Sequence, residues 1–402
     1  MAKRVLVLSY WGLEDGLTQG AVLPHVQALD EISSVQKILL VTLEREHHVV
    51  GERQLPGKVE HKPVYIKNYG PNILSKAADF LVLPARLKTI AEKKEINSVV
   101  GFGALAGALA HFIFTRSGIP YYVSLFEPHA AYMLESGVWG KHNLKYIFQK
   151  MWEEREKKYA TGLMPVSEKY RQELLRERVP KGKIKLVPCV VDLQQFMMRE
   201  SSRESMRRAL SIEKDECVGI YVGKYGDLYY KEEVFQIYRQ CFKTVPRFRL
   251  LILSPQPQEE IIHYLEESNI DKDRVYITTV PHTEVPQYMS AADFAFATFK
   301  PGPSKRCLSP IKIGEYWANG LPVLLTEGVG DDSDIIKNEG GGALFNLQEV
   351  GSVERAVQQI LHILQDPNHR QEIPKLARKY RNPDRVKEAY EYFFGQKQEG
   401  HQ

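Results

Sequence analysis

Short β-branched runs alternate with helical patterns along nearly the whole chain, and this alternation narrows the choice of fold more than any other feature. Val5–Ser9, Lys37–Thr42, Ser98–Gly101 and Tyr121–Leu125 read as buried strands of a first half. Gly219–Val222, Arg249–Leu253, Val275–Thr278, Phe294–Ala297 and Pro322–Leu325 read as those of a second. Between them lie helical patterns such as Ala21–Leu29, Ala104–Thr115 and Val285–Ala291. Apolar strands with a helix between each pair imply parallel sheets covered on both faces, because a parallel connection must cross back over the sheet. The pattern restarts after residue 215, and 402 residues exceed one ordinary core of about 100–200. Two similar doubly wound domains in tandem are therefore predicted, with a boundary near 190–200, where basic, turn-like Lys181–Lys185 leads into Leu186–Asp192. Ligands of such folds sit at the carboxyl ends of the strands, so two domains facing each other would enclose a central cleft.

Composition excludes several classes. Apolar residues at 43% and charged residues at 26% rule out a disordered, collagenous or coiled-coil chain. A net charge of +4 is too small for a dedicated nucleic-acid binder, so no nucleic-acid partner is expected. The four cysteines (Cys189, Cys217, Cys241, Cys307) lack Cys-x-x-Cys spacing, which predicts a reducing compartment and no metal site. Met1–Arg4 leads into an apolar run of only Val5–Leu8, and the longest apolar stretch, around Ala104–Phe114, is broken by Gly107 and His111. Neither is a signal peptide or a membrane span, so a cytoplasmic protein, or one attached to the inner face of a membrane from outside, is expected.

The most informative stretch runs from Pro301 to Val323. A Gly/Pro loop follows a strand; Ser309 is a good N-cap, Pro310 suits the first helical position, and Gly320 closes the helix. The N-terminus of that helix offers unpaired backbone N–H groups and the positive end of a dipole, a natural site for a phosphate or diphosphate. Lys312 and Glu315 share one helical face: the cation could meet phosphate while the carboxylate accepts sugar hydroxyls, or the two could simply form an i,i+3 ion pair. After the first strand of the second half, Gly223 permits a tight turn, and Lys224 and Lys231 bracket a loop that could close on a doubly negative group, although two such lysines are commonly just solvated. Glu127 and His129, just past the strand Tyr121–Leu125, could handle a proton near neutral pH or be structural. The loop Trp11–Gly20, with Gly16 and Gly20, could contact phosphate or sugar through its backbone or be an ordinary βα loop. Gly101-Phe-Gly103 with Gly107 lacks the register of a dinucleotide fingerprint. Asp332-Ser-Asp334 reads as helix capping rather than a metal pair, and Gly340-Gly-Gly342 as a turn before the strand Ala343–Phe345.

Four ordered motifs then carry a resemblance. Ser309-Pro-Ile-Lys312, with Glu315-Tyr-Trp-Ala-Asn-Gly320-Leu-Pro322-Val, resembles the donor-site signature of the retaining GT-B glycosyltransferases of the large fourth family (glycosyl transferases group 1). Tyr221-Val-Gly-Lys224 with Lys231 is similar to that family's Gly-Arg and Lys pair. Leu186-Val-Pro-Cys-Val-Val-Asp192 with Phe196 resembles its interdomain motif, and Val285–Asp293 the segment ending Ala-Ala-Asp before the donor loop. The resemblance implies two Rossmann-like domains, 1–192 plus 381–402 on the acceptor side and 193–380 on the nucleotide-sugar side, with the last helices (about Val386–Phe394) crossing back. It implies that Lys224 and Lys231 neutralise the donor diphosphate, that Glu315 holds the ribose hydroxyls, and that the backbone of Leu308, Ser309, Pro310 and Ile311 binds phosphate or sugar oxygens. His129, with Glu127 as the alternative beside it, would stand near the reacting carbon, and the Gly16–Gly20 loop would face sugar and diphosphate. No cofactor or metal is implied beyond the nucleotide-diphosphate sugar itself. Two positions depart from the pattern: Cys307 stands where the family has the first glutamate of its Glu–seven residues–Glu motif, and Lys224 replaces Arg, keeping the charge but losing the bidentate fork.

The expected reaction moves a sugar from a nucleotide-diphosphate sugar to a hydroxyl of a glycan or lipid-linked acceptor, in cell-envelope polysaccharide synthesis. Thirteen Lys/Arg against six Glu between Lys141 and Lys185 give +7, more than the whole chain's +4, together with Trp139, Tyr146, Phe148 and Trp152. That fits peripheral membrane contact, or a solvated face. Cys307 also leaves room for a degenerate member that binds a nucleotide sugar or glycan without turnover, and a nucleotide-sugar epimerase of similar fold is a further alternative.

Overall fold

The computed structural model describes residues 2–44, 55–66 and 72–395, the side chains of 72–81 excepted. It divides into two compact units: the chain up to Val190 together with the chain from Pro383, and Val191–Asn382. Of the returning segment expected over 381–402, residues 396–402 lie outside the described residues.

The first unit holds six parallel strands, β1 (Lys3–Ser9), β2 (Val35–Glu44), β3 (Val59–Tyr65), β4 (Ser98–Phe102), β5 (Tyr121–Leu125) and β6 (Gly162–Pro165), in the order β3-β2-β1-β4-β5-β6. Val5 pairs with Ile38 on one side and Ser98 on the other, so β1 lies at the point where the winding reverses. Val5–Leu8 are fully buried, as a strand covered by helices on both faces requires. The helix Gly103–Ser117 packs so closely on β4 that a Cβ at Gly101 would come within 2.8 Å of the Ala106 backbone. The returning helix Asp384–Gly395 buries Val386, Ala389, Tyr390 and Phe393, and its Tyr390 hydroxyl bonds His25 Nδ1 at 2.8 Å.

The second unit repeats the plan. Strands β7 (Cys217–Val222), β8 (Phe248–Leu253), β9 (Val275–Thr278), β10 (Phe294–Ala297), β11 (Val323–Thr326) and β12 (Gly342–Phe345) run parallel in the order β12-β11-β10-β7-β8-β9. Here too the first strand in the chain, β7, lies beside the fourth, β10. Both units are Rossmann-like and doubly wound, as the alternation predicts.

Three local differences have physical causes. The strands β3 and β6 are absent from the sequence reading because both are sheet edges: β3 carries His61, Lys62 and Pro63 and buries only Val64, while β6 is four residues ending in Pro165. The helix expected to start at Ala21 starts at Leu23, preceded by a π-helical turn over Thr18–Val22; Pro24 has no N–H to give to a carbonyl four residues back. Arg381 belongs to the second unit rather than the first. Its carbonyl accepts the Val191 N–H at 3.0 Å, and its guanidinium bonds Ser309 Oγ and Asp332.

Candidate functional site

In the second unit the candidate residues gather at the carboxyl ends of β7 and β10, neighbouring strands at the winding reversal. The loop after β7 is stapled to the one after β10: Tyr230 N–H donates to Thr298 O at 3.1 Å, and Lys300 N–H to Leu228 O at 3.0 Å. Beyond it the short turn Pro303–Cys307 leads into the helix Ile311–Ala318. Gly330, at φ +55°, packs a backbone N–H on Lys305 O (2.9 Å) where any side chain would strike Leu308 O.

The cap differs from the expected one. Pro310, not Ser309, takes the N-cap position, with ψ of 123°, and no side chain caps the helix. Ser309 Oγ is instead taken by Arg381, which also pairs with buried Asp332. Asp332, the first residue of the helix Asp332–Glu339, therefore serves a buried ion pair rather than a capping bond. Burial raises its carboxyl pKa, with Arg381 pulling the other way. What the loop offers at the helix entrance is backbone, at Leu308, Ser309, Pro310 and Ile311. Cys307 is fully buried behind it.

Lys312 and Glu315 do not form the ion pair that their spacing allows. Glu315, nearly buried, accepts a hydrogen bond from His282 Nε2 at 2.8 Å. The stem of Lys312 is partly exposed, but its Nζ is shielded, lies 4.1 Å from the Tyr229 ring centre, 5.0 Å from that of Tyr221 and 5.8 Å from that of Phe299, and has no hydrogen-bond partner. Burial lowers its pKa to about 7, and the nearby Glu315 charge only partly opposes this. Gly223, at φ +133°, leaves the space: a Cβ there would sit 2.8 Å from Nζ. A lysine held by ring faces alone is poised for an anion.

The other two lysines are more exposed. Lys224 Nζ pairs with Asp227 at 2.8 Å, three residues along the same loop. Lys231 Nζ pairs with Glu260 at 2.9 Å and lies 5.4 Å from the Tyr264 ring centre; Tyr264 and Glu260 together raise its pKa. His282 is the site residue that the sequence reading missed. Its only signal is a polar Pro-His-Thr-Glu turn after β9.

In the first unit a second group collects at the ends of β1, β2 and β5. His129, first residue of the helix His129–Glu135, bonds Glu127 Oε1 through Nδ1 at 2.7 Å. It stacks on Tyr132 and meets Trp139 edge-on. A carboxylate on Nδ1 fixes the proton there and leaves the basic lone pair on Nε2. The Ala130 N–H in that first turn donates to buried Glu153 Oε1 at 2.9 Å. Trp11, in the β1 loop, packs on Phe126 in the β5 loop, ring centres 5.9 Å apart. Gly16 is exposed with open space beside it, and Gly20 lies within the π-helical turn. The loop is shaped by Glu44 at the end of β2, another residue sequence reasoning missed. Glu44 accepts from Leu13 N–H at 2.9 Å and from Thr42 Oγ1, and it occupies the space where Gly12 would carry a side chain. His61 completes the cluster, 2.8 Å from Thr42 Oγ1. Burial lowers its pKa, against the charges of Glu44 and Glu14.

Among the described residues no three His, Cys, Asp or Glu side chains gather as a metal site, and no helix is long and apolar enough to cross a membrane.

Residues 218–366, within the second unit, match the family described as glycosyl transferases group 1. No curated protein matches by sequence. Among solved structures, sucrose-phosphate synthase from Thermosynechococcus elongatus is similar at 18% identity and a TM-score of 0.78, over 98% of this chain and 99% of that one. Anabaena HepE in complex with UDP-glucose is similar at 14% identity and a TM-score of 0.69, over 98% and 99%. WaaG, a glycosyltransferase involved in lipopolysaccharide biosynthesis, is similar at 16% identity and a TM-score of 0.70, over 98% and 100%. At these identities the likeness establishes a shared fold across both units. The second unit thus carries the glycosyl transferases group 1 match over residues 218–366, and the chain as a whole has the GT-B fold of two Rossmann-like domains.

Proposed function

We propose that the chain transfers a sugar from a nucleoside diphosphate sugar to a hydroxyl of a glycan or lipid-linked acceptor, with retention of anomeric configuration. The proposed setting is cell-envelope polysaccharide synthesis at the cytoplasmic face of a membrane. The observation that carries this reading is Lys312 Nζ, shielded, without a partner, and one turn of helix from a carboxylate held by a histidine. A diphosphate would supply the lysine's missing partner, and Glu315, oriented by His282, would accept the ribose hydroxyls. Lys224 and Lys231 would neutralise the departing diphosphate, and the Leu308–Ile311 backbone would bind phosphate or sugar oxygens; Ser309 Oγ is already engaged by Arg381. Positive charge from lysines and a helix N-terminus suffices to stabilise the leaving group, so no metal or cofactor is assigned. His129, with Glu127 on its Nδ1, would serve the reacting carbon from the first unit, and the Gly16–Gly20 loop would contact the sugar and diphosphate. HepE is known in complex with UDP and UDP-glucose, which makes UDP the first nucleotide to try.

Buried Cys307, in place of the resembled family's first glutamate, favours one second reading: a nucleotide-sugar binding protein without turnover. Calorimetric titration with UDP, GDP, ADP and CMP, on wild type and Lys231→Ala, is the test. One tight diphosphate, weakened about tenfold by the substitution, is the expected result. No binding to any of the four removes the donor site as assigned. Tight binding with no sugar transferred or released from any matching donor moves the binding-protein reading to the front.

A further inference from the structure

The helix Leu144–Tyr159 has its polarity reversed. Its buried face is Gln149, Trp152, Glu153 and Glu156. On the opposite side Leu144 is 81% exposed, Ile147 52%, Phe148 37% and Met151 36%. These four follow the spacing i, i+3, i+4, i+7 and so form one stripe. A helix of a globular domain ordinarily turns such a stripe inward. Here part of the inward polar face is held by hydrogen bonds, while both Glu156 carboxyl oxygens are buried without a hydrogen-bond partner among the described residues. Glu153 Oε1 accepts the Ala130 N–H and also Gln149 Nε2 at 3.0 Å. Glu156 fits only because residue 107 is glycine, where a Cβ would sit 2.6 Å from Oε1. Burial pushes the Glu156 carboxyl well above the usual range. The apolar stripe is therefore not a core face left bare; the core face is the other one.

Cations frame the stripe. Lys141 precedes it, Lys150 flanks it, and Arg155 and Lys158 continue it over the next turns, all four exposed. Among the described residues no carboxylate pairs with any of them. Glu154, the exposed acid of this helix, bonds Lys157.

We propose that this helix is a docking element for an anionic lipid bilayer, lying in the interface with Leu144, Ile147, Phe148 and Met151 among the headgroups and upper acyl chains. The framing lysines and arginine then meet lipid phosphates. Charge selects this occupant over a second copy of the chain, since a two-fold pairing through the stripe would set cation against cation. The surface deepens, and rests on, the peripheral-membrane part of the proposed function. Glu153 gives it a link to chemistry, because the same helix that meets lipid holds the first turn of the His129 helix.

The test is co-sedimentation of the full chain with phosphatidylglycerol or phosphatidylcholine vesicles. Two variants are compared with wild type: Ile147→Ser/Phe148→Ser/Met151→Ser, and Lys150→Glu/Lys158→Glu. Circular dichroism and thermal unfolding confirm that both fold, as changes at exposed positions should. Wild type is expected to bind phosphatidylglycerol vesicles at low salt and phosphatidylcholine poorly, with each variant at least about tenfold weaker on phosphatidylglycerol. Wild type that stays in the supernatant, or a serine variant that binds as well as wild type, overturns the proposal. So does a wild-type dimer that the serine variant turns into a monomer. UDP titration reads the second unit separately: vesicle binding without UDP binding upholds this surface while removing the transferase reading.

Discussion

The two units repeat one strand order and carry opposite chemistry at the same end of it. In both, the first strand of the unit lies beside its fourth, and the candidate residues lie on loops at the carboxyl ends of the strands. In the second unit these are three lysines and one carboxylate tied to a histidine. In the first unit the ends of β1, β2 and β5 hold two carboxylates, Glu44 and Glu127, each joined to a histidine, one directly and one through Thr42. A doubly wound sheet thus fixes where a site forms but not what it binds; that is decided by the few side chains on the loops. A shielded cation without a matching anion, as Lys312 is, with two exposed lysines beside it that could exchange their carboxylates, suits a polyphosphate. A carboxylate on a histidine suits proton transfer or the steadying of a developing positive charge.

The largest effect should come from the side where that division predicts chemistry without nucleotide affinity. His129→Ala is expected to lower kcat by about 10²–10⁴ while leaving UDP affinity within about twofold of wild type. Glu127→Gln, which keeps the ring but weakens its hold on the Nδ1 proton, should cost about tenfold less than that and move the pH profile. Steady-state rates and calorimetry on the same preparations separate the two quantities. A His129→Ala protein that turns over normally but has lost UDP would erase the division of labour between the units.

Lys312 is next. Removing its charge with Lys312→Met should weaken UDP about thirtyfold, the loss of one charge-assisted bond in a shielded site. Its titration adds a signature that the exposed lysines lack. In the empty protein its pKa is about 7, so near neutral pH much of the population is uncharged. A bound diphosphate favours the charged form, so UDP binding should take up about half a proton at pH 7, rising toward one by about pH 8–9. Affinity should then fall as pH rises through that window. Calorimetry in buffers of different ionisation enthalpy reads the proton directly, and Lys312→Met should abolish its uptake. Stability follows the opposite course. Between about pH 7 and 10.5 the unfolded chain holds the lysine proton and the folded chain does not, so this group makes the protein more stable as pH rises. Lys312→Met, which removes that cost, should raise the melting temperature of the second unit at pH 7 by about 5 °C.

Much of this arrangement is legible in the chain, for reasons that also mark where legibility ends. Strands buried on both faces, such as Tyr121–Leu125 and Phe294–Ala297, are continuous apolar runs and stand out to the residue. The edge strands are hidden for different reasons: β3 is largely polar and buries only Val64, and β6, though buried throughout, is a four-residue run bounded by Gly162 and Pro165. At the site, the helix after Pro310 and the lysine loop are visible because Gly and Pro punctuate them. Their partners are not. Ser309 faces Arg381, which is 72 positions away, His282 meets Glu315 across 33, and Glu44 supports the β1 loop from the end of another strand. Side-chain spacing predicts neighbours on one helix, and long-range partners then override it: Lys312 and Glu315 share a face yet each answers to a different loop. The reversed helix Leu144–Tyr159 shows the same limit, since its apolar spacing announces a buried stripe and the fold buries the other side.

The smallest effect sharpens the comparison within the second unit itself. Lys224 stands where the resembled family has an arginine, which would make it a principal phosphate ligand. In this chain it is exposed and paired with Asp227 on its own loop. An exposed ion pair is worth little, and a flexible lysine must leave its carboxylate to reach a phosphate. Lys224→Ala should therefore weaken UDP only about two- to threefold, and the difference should vanish in high salt, where exposed charges are screened. Lys312→Met should keep most of its effect there, because its Nζ is shielded by three rings. If instead Lys224→Ala costs as much as Lys312→Met and resists salt, the loop closes on the diphosphate and carries its lysine out of solvent. The exposed lysine would then join the buried one as a principal ligand, and the contrast would lie between the empty and occupied loop rather than between the two residues.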